Sequence, residues 1–211
     1  MKSDDPMPAA RPPLVSEGTP PRILAARATR VGVLRETLAA CLEGGGAVTL
    51  EFGCGHGHWL TGYAEAHPTR RCIGVDLISA RIRKARAKRD RRGLRGLHFL
   101  KAEATELLEA WPTASPIDEV FMLFPDPWPK KRHFKHRMIQ PALLSAVAAL
   151  CRPGARFHFR TDDKSYFEWT EEHFAAHSDW TIEKSADWPW EHATIFQAMM
   201  DSWESLIARR R

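Results

Sequence analysis

The sequence predicts an α/β protein built on a mainly parallel sheet with helices on both faces. Three observations point there. Short apolar runs alternate with helical stretches from residue 47 onward. A glycine-rich turn, Gly53-Cys54-Gly55-His56-Gly57, follows the first apolar run and opens a helical stretch. An acid, Asp76, ends the second apolar run nineteen residues beyond Gly57. Alternating strands and helices bury a parallel sheet between two helical layers. Sheets of this kind bind ligands beyond the carboxyl ends of their strands, where strand order reverses.

The elements follow in order. Residues 1–22 carry prolines at 6, 8, 12, 13, 20 and 21 and no hydrophobic period. They are expected to form a disordered Pro-rich tail, with Arg11 and Arg22 available to anions. Residues 23–211 are expected to form one domain. Residues 23–43 have mixed helical spacing and stop at Gly44-Gly45-Gly46. Strands are expected at 47–52, 71–77, 97–103, 118–124 and 156–163, and helices at 58–67, 79–93, 105–111, 138–151 and 165–177. Arg152-Pro153-Gly154 reads as the stop signal closing the helix at 138–151. Arg209–Arg211 reads as a frayed end.

The composition narrows the function classes. The chain has 211 residues, a formal charge of +5 and a pI near 9.2, a balance that favours an anionic partner. Its four cysteines form no C-x-x-C pair and read as reduced thiols in or near the core. No apolar run is long enough to span a membrane, and the N-terminus lacks the apolar core of a signal peptide, so a cytoplasmic location is expected.

The chemistry collects at the strand ends. Gly53, Gly55 and Gly57 let the backbone turn tightly and approach a ligand. Asp76, at the end of the second strand, is placed to accept both hydroxyls of a ribose. A dinucleotide fingerprint would put its third glycine at position 58, which is His58. Here the spacing is G-x-G-x-G, with Glu51 two residues ahead. A carboxylate there would repel a pyrophosphate but suits a ligand carrying an ammonium and a sulfonium, such as S-adenosylmethionine (SAM). Glu103, after the third strand, could accept from an adenine amino group, or could be a solvated surface acid.

After the fourth strand comes Phe-Pro-Asp-Pro-Trp-Pro-Lys-Lys-Arg-His-Phe-Lys-His-Arg, residues 124–137. Pro125, Pro127 and Pro129 each fix φ, so the turn should hold Asp126 and Trp128 stiffly at the cleft mouth. Lys130, Lys131, Arg132, Lys135 and Arg137 should then face an incoming anion, the last four as phosphate contacts. A second cationic surface lies between Arg81 and Arg95, where nine Lys/Arg stand against one acid, Asp90. Ile78, Ile82 and Ala85 form the narrow core side of that helix. Such an excess of one sign favours a polyanion. His56-x-His58 lacks clustered partners, and His133 and His136 suit phosphate better than a metal, so no metal is expected. Trp188 and Trp190 could stack on a base or pack their loop on the core.

Residues 124–137 with Gln140 and Pro141, together with "EFGCGHG" at 51–57, "RTDD…YFEW" at 160–169 and "TIF" at 194–196, resemble the bacterial tRNA (guanine-N7-)-methyltransferase family. The resemblance runs in motif order over about residues 45–200. It implies a Rossmann-like class I methyltransferase that uses SAM to methylate N7 of guanosine 46 in the tRNA variable loop, acting as a monomer or homodimer. Carried over, it implies SAM contacts at Glu51, Asp76, Glu103 and Asp126, with Asp126 catalytic. It implies substrate contacts at Lys130 and Asp162, and a pocket role for Thr194 through Gln197. Asp76 stands where the family often has Glu, Glu103 where it often has Asp, and Gln197 where its motif has Glu. Guanine selection is therefore expected to rest mostly on Asp162. The alternatives are a SAM methyltransferase of another RNA site and a non-catalytic RNA-binding module that keeps the fold.

Overall fold

A computed structural model describes residues 19–184, 187–192 and 201–211. Most of the expected tail, and the Thr194 to Gln197 segment, lie outside the described residues. The first helix, α1 (Pro21–Cys41), starts two residues before its expected position, with proline in the first turn where a missing N–H costs nothing. It buries Arg27, Val31, Leu34 and Leu38, one helical stripe. After its last turn, Gly44, Gly45 and Gly46 all take positive φ, which ends the helix.

The five expected strands are present: β1 (Val48–Phe52), β2 (Arg71–Asp76), β3 (Leu97–Lys101), β4 (Ile117–Leu123) and β5 (Cys151–Thr161). Between them run α2 (His58–Ala66), α3 (Ser79–Arg91), α4 (Ala104–Ala110) and α5 (Pro141–Ala148). A 3-10 turn at Lys131–His136 precedes α5, and α6 (Lys164–Ala176) follows β5. Two further strands, β6 (Trp180–Ile182) and β7 (Glu204–Arg210), complete a seven-stranded sheet of order β3-β2-β1-β4-β5-β7-β6. The first five strands pair in parallel, and β7 pairs antiparallel with both β5 and β6.

Arg152-Pro153-Gly154 does not lie beyond a helix that reaches Cys151; α5 ends at Ala148 and all three residues belong to β5. Ile117 pairs with Cys151 and Glu119 with Arg156, so the extra residues form an irregularity that tolerates a proline and a glycine at φ +84°. The C-terminal arginines are not frayed. Leu206, Ile207 and Ala208 are buried in β7, Arg209 pairs with Glu183 at 3.1 Å, and Arg210 donates to Ala148 O at 3.0 Å.

Each sheet face has its own core. Val48, Leu50, Phe52, Val120, Met122, Phe157 and Phe159 point toward α1, α4, α5 and α6. α4 is tied to α1 by Arg27–Glu109 at 2.6 Å and Arg30–Glu106 at 2.5 Å. On the other face Phe121 and Phe99 meet α2, α3 and the segment bearing Trp188 and Trp190. Pairing across that face runs Phe99, Gly74, Glu51, Phe121, His158 and Ile207. All four cysteines are free thiols, three of them buried. No described helix is long and apolar enough to cross a membrane.

If β7 is an integral strand, Leu206→Ala should cost about 2–5 kcal/mol of unfolding free energy, because Leu206 is 4% exposed within the larger core. Urea unfolding followed by circular dichroism measures this. A change below ~0.5 kcal/mol would return the C-terminus to a peripheral tail.

Candidate active site

Strand order reverses between β1 and β4, and the sequence-predicted acids and glycines gather at the carboxyl ends of the strands around that point. The glycine turn is held to β2 by its backbone. Cys54 N donates to Val75 O at 3.0 Å, and Gly55 N donates to the Asp76 carboxylate at 3.1 Å. The other Asp76 oxygen accepts from Ile78 N at 2.7 Å, and Arg81 stands 3.5 Å away. Asp76 thus fixes the turn as well as lining the cleft. Gly53 and Gly55 have positive φ, and a Cβ on either would point into open space. Gly57 has a packing task as well: a Cβ there would lie 2.5 Å from the Phe99 ring and 2.8 Å from the Ala85 Cβ, so its bare backbone lets α2 and α3 close on the sheet.

Glu51 is the most unusual group of the site. It is 3% exposed, and its Oε2 has no hydrogen-bond partner. Burial, and then the charge of Asp76, push its carboxyl pKa up to about 8. A buried carboxylate without a partner is costly, so the free protein holds this group protonated at neutral pH. A cation placed beside it would restore the ionised form. Next to it, Asp76 stands at the end of β2, where the sequence led to the expectation of a ribose contact, and Gly53 and Gly55 keep the backbone bare. This donor set fits a ligand with a cationic end and vicinal hydroxyls, as SAM has.

Glu103 carries a structural task in addition to its expected one. It caps α4, its Oε2 accepting from Thr105 N at 2.9 Å and from Glu106 N at 3.1 Å. A capping carboxylate of this kind is worth about 0.5–2 kcal/mol to its helix. The described bonds all fall on Oε2, which leaves Oε1 for a ligand.

The loop after β4 is strained and clamped. Phe124 and Trp128 hold φ of 50° and 46°, a region costly for bulky residues, by about 1–3 kcal/mol each. Phe124 N donates to Arg160 O at 2.8 Å, which anchors the start of the loop to β5. Asp126, Trp128, Lys130, Lys131, Arg132 and Lys135 are exposed on it. Arg137 is not, and the expectation of a phosphate contact there is corrected. At 1% exposure it lies inside, with Nε donating to Pro127 O at 2.9 Å. Its Nη1 donates to Ser165 O at 3.0 Å and its Nη2 to Ser165 Oγ at 2.9 Å. The guanidinium stacks 3.7 Å over Phe134, and Asp163 stands 3.9 Å away. One buried cation therefore joins the loop carrying Asp126 to the first turn of α6. Asp162 is exposed just ahead of that turn, while its neighbour Asp163 caps α6 by accepting from Tyr166 N at 2.7 Å.

Two groups were missed by the sequence reading, Arg160 and His158. Arg160 is buried and bonded at 2.9 and 2.5 Å to Glu191, with Nε donating to Ser205 Oγ at 2.9 Å and its guanidinium 3.8 Å over Trp188. His158 stacks on Phe121 at 4.3 Å with neither ring nitrogen bonded, and burial, then Arg156, lower its pKa to about 3. Trp188 covers both residues, and Trp190 packs against Trp59, Tyr63 and the α2 backbone at Gly62, so their loop lies on the core. The signal was the alternation of 156–163, which puts His158 and Arg160 on the face opposite Phe157 and Phe159. Among the described residues no group of three or more metal-ligating side chains occurs.

A family model described as "Putative methyltransferase" matches residues 46–205. The tRNA (guanine-N(7)-)-methyltransferase of Rhodopseudomonas palustris strain HaA2 is 36% identical over 153 residues, covering 71% of this chain and 59% of that protein. The protein of the same description from Rhodospirillum rubrum is 37% identical over 141 residues, covering 66% and 55%. The chain thus spans under three-fifths of the length of these curated relatives. Among solved structures, the 16S rRNA methyltransferase KamB is similar at a TM-score of 0.57 and 22% identity, covering 83% of this chain and 91% of that one. That likeness shows the class I methyltransferase fold that the resemblance implied.

Two outcomes follow from this geometry. Between about pH 4.5 and 8 the folded protein keeps a proton on Glu51 that the unfolded chain releases, so its unfolding free energy should fall as pH rises through that window. Glu51→Gln should remove that part of the slope, on the order of a few kcal/mol across it. Thermal midpoints of both proteins from pH 5 to 8.5 test this, and parallel curves would contradict the assignment. Arg137→Lys keeps the charge but cannot make the three bonds of the fork at once, and should cost about 1–3 kcal/mol of stability. It should also speed hydrogen exchange in the 3-10 turn; unchanged exchange there would mean that the clamp is redundant.

Proposed function

The chain belongs to the methyltransferase family whose model it matches, as its resemblance to bacterial tRNA (guanine-N7-)-methyltransferases implied, and on that premise we propose that it forms N7-methylguanosine in the variable loop of tRNA, using SAM. The observation that carries the reading is the unpartnered, buried Glu51 carboxyl beside Asp76 at the switch point, below a strained loop that presents Asp126. The naming of the relatives by the N7 reaction supports this over methylation of another RNA position. The intact set of acids supports an enzyme over a binding module.

Glu51 would take the cationic end of the cofactor, Asp76 the ribose hydroxyls, Gly53 and Gly55 its close approach, and Glu103 Oε1 the adenine edge. When bound, SAM supplies an electrophilic methyl on a positively charged sulfur. Guanine N7 carries an in-plane lone pair and needs no proton removed before it reacts. The chain therefore needs no strong general base. Its task is to hold the acceptor in line, which contributes several kcal/mol to lowering the barrier. The purine gains positive charge as it is methylated, and a fixed carboxylate beside it favours that change. Asp126 is the candidate, exposed at the end of β4 on a loop that Arg137 keeps from relaxing. Asp162, at the linked end of β5, is the candidate acceptor for the guanine N1–H and N2–H₂ donors. Thr194 and Gln197 are proposed to complete the pocket. Lys130 would touch the substrate, and Lys131, Arg132 and Lys135, all exposed, would bind its phosphates. A cytoplasmic enzyme fits this substrate.

The test is transfer of labelled methyl from SAM to a tRNA transcript, followed by nucleoside analysis. Label in N7-methylguanosine is expected, and label elsewhere or none would contradict the reading. In single turnover with both ligands saturating, Asp126→Asn should lose roughly 10²- to 10³-fold in rate while SAM affinity changes little, since the amide keeps the shape and removes the charge. A rate within threefold of wild type would reduce Asp126 to a framing residue.

A further inference from the structure

Helix α3 carries nine Lys/Arg with its following turn, and the structure divides them into two groups. Five are engaged within the protein. Arg81 faces Asp76 at 3.5 Å, Arg86 Nε donates to Phe99 O at 2.8 Å, and Lys88 Nζ donates to His56 O at 3.0 Å. Arg89 pairs with Asp90 at 2.6 Å, and Arg92 pairs with Glu65. The other four, Arg83, Lys84, Arg91 and Arg95, are exposed and form no ion pair among the described residues. The one acid in the stretch is already bound to Arg89, so it neutralises none of them.

Three of the four line up on one face of the helix. Ile82 and Ala85 are buried, so Arg83, Lys84 and Arg91 fall on the opposite, solvent-facing stripe, with the small, exposed Ala87 between them. From Arg83 to Arg91 the stripe is about 12 Å long, the axial run of several phosphates on one strand. It begins at the cleft. The first turn of α3 follows Asp76, and Lys88 holds the carbonyl of His56 inside the glycine turn. It then runs down the side of the domain under β2 and β3, away from the loop at 130–136, which leaves the sheet on the β4 side. Between Arg83 and Arg91 the stripe carries no large apolar side chain to enter a lipid layer; Leu77 and Ile78, the latter expected on the core side, are exposed but lie before the helix, next to Asp76.

We propose that the outward stripe of α3 is a phosphate-docking surface for the backbone of the RNA whose base enters the cleft, binding it at a distance from the methylated nucleotide. This rests on the reading of the protein as an RNA methyltransferase. It assigns the loop at 130–136 and α3 to opposite sides of one RNA, with the target between them.

The experiment measures binding of a tRNA transcript against salt concentration for the full chain, for Arg83→Ala/Lys84→Ala/Arg91→Ala, for Arg91→Ala, and for Arg35→Ala on α1 over the other face of the sheet. The triple variant should flatten the log–log slope by about 2 to 3, and Arg91→Ala alone by about one, at 0.7–0.9 per lost contact. The α1 variant should keep the wild-type slope. Thermal midpoints and SAM affinities of all the proteins should agree, which reports that the fold is kept. An unchanged slope in the triple variant overturns the proposal, as does an equal loss in the α1 variant, which would mean that only net charge matters. Absence of tRNA binding by wild type at about 50 mM salt overturns it too. So does loss of binding to phosphatidylserine vesicles with tRNA binding intact. Methyl transfer by wild type is assayed in parallel: a flattened slope without transfer sinks the catalytic reading and leaves this surface standing, and transfer with an unchanged slope does the reverse.

Discussion

Because α-helical connections leave β1 and β4 for opposite faces of the sheet, nothing from either strand closes over the gap between their carboxyl ends. That gap is the physical condition on which the rest of the site depends. It lets the glycine turn after β1 sit with open space above Gly53 and Gly55, and it brings Asp76 within a backbone hydrogen bond of that turn. It also leaves Glu51 at the bottom, sealed by neighbours on both sides yet without a partner for Oε2. Folding alone gives no reason for an acid there, because burial raises its pKa and leaves its charged form unsatisfied. A ligand with a cationic group does.

The second support is Arg137. The loop that carries Asp126 holds two bulky residues at positive φ, and such a conformation persists only where its surroundings over-determine it. Three prolines narrow the alternatives, and Arg137 ties the loop's carbonyl at Pro127 to Ser165 at the head of α6. Phe134 and Trp169 pack edge to face beside this fork at 5.4 Å. The acids Asp126 and Asp162 therefore stand on two loops joined through one buried guanidinium. The exposed lysines around it are free for a partner because the structural work falls to the buried arginine.

Much of this was legible in the sequence because it is local. The five parallel strands announce themselves by apolar runs of the right length, and the glycine turn and Asp76 by a spacing that needs no tertiary information. Arg137 was not legible. It ends a run of cations, and only the packing of Phe134, Trp169 and Ser165 distinguishes it from Lys135. The strands β6 and β7 were missed for a related reason. Trp180–Ile182 is three residues long, and Glu204–Arg210 ends in arginines whose partners, Glu183 and Asp179, lie more than twenty residues away in the chain. Pro153 and Gly154 spoke correctly for an irregular backbone, but the irregularity lies inside β5 and not at a helix end. Gly57 was grouped with its neighbours by motif, while its packing task is set by Phe99, forty residues on.

The role proposed for Glu51 is to stay neutral in the free protein and to become the counter-charge of a bound cationic cofactor. Calorimetric titration of SAM at pH 7, in buffers of different ionisation enthalpy, counts the protons exchanged on binding. Release of close to one proton per SAM bound is expected of the wild-type protein, and none of Glu51→Gln, which should bind more weakly. Binding without proton release, or with the same release in Glu51→Gln, would contradict it.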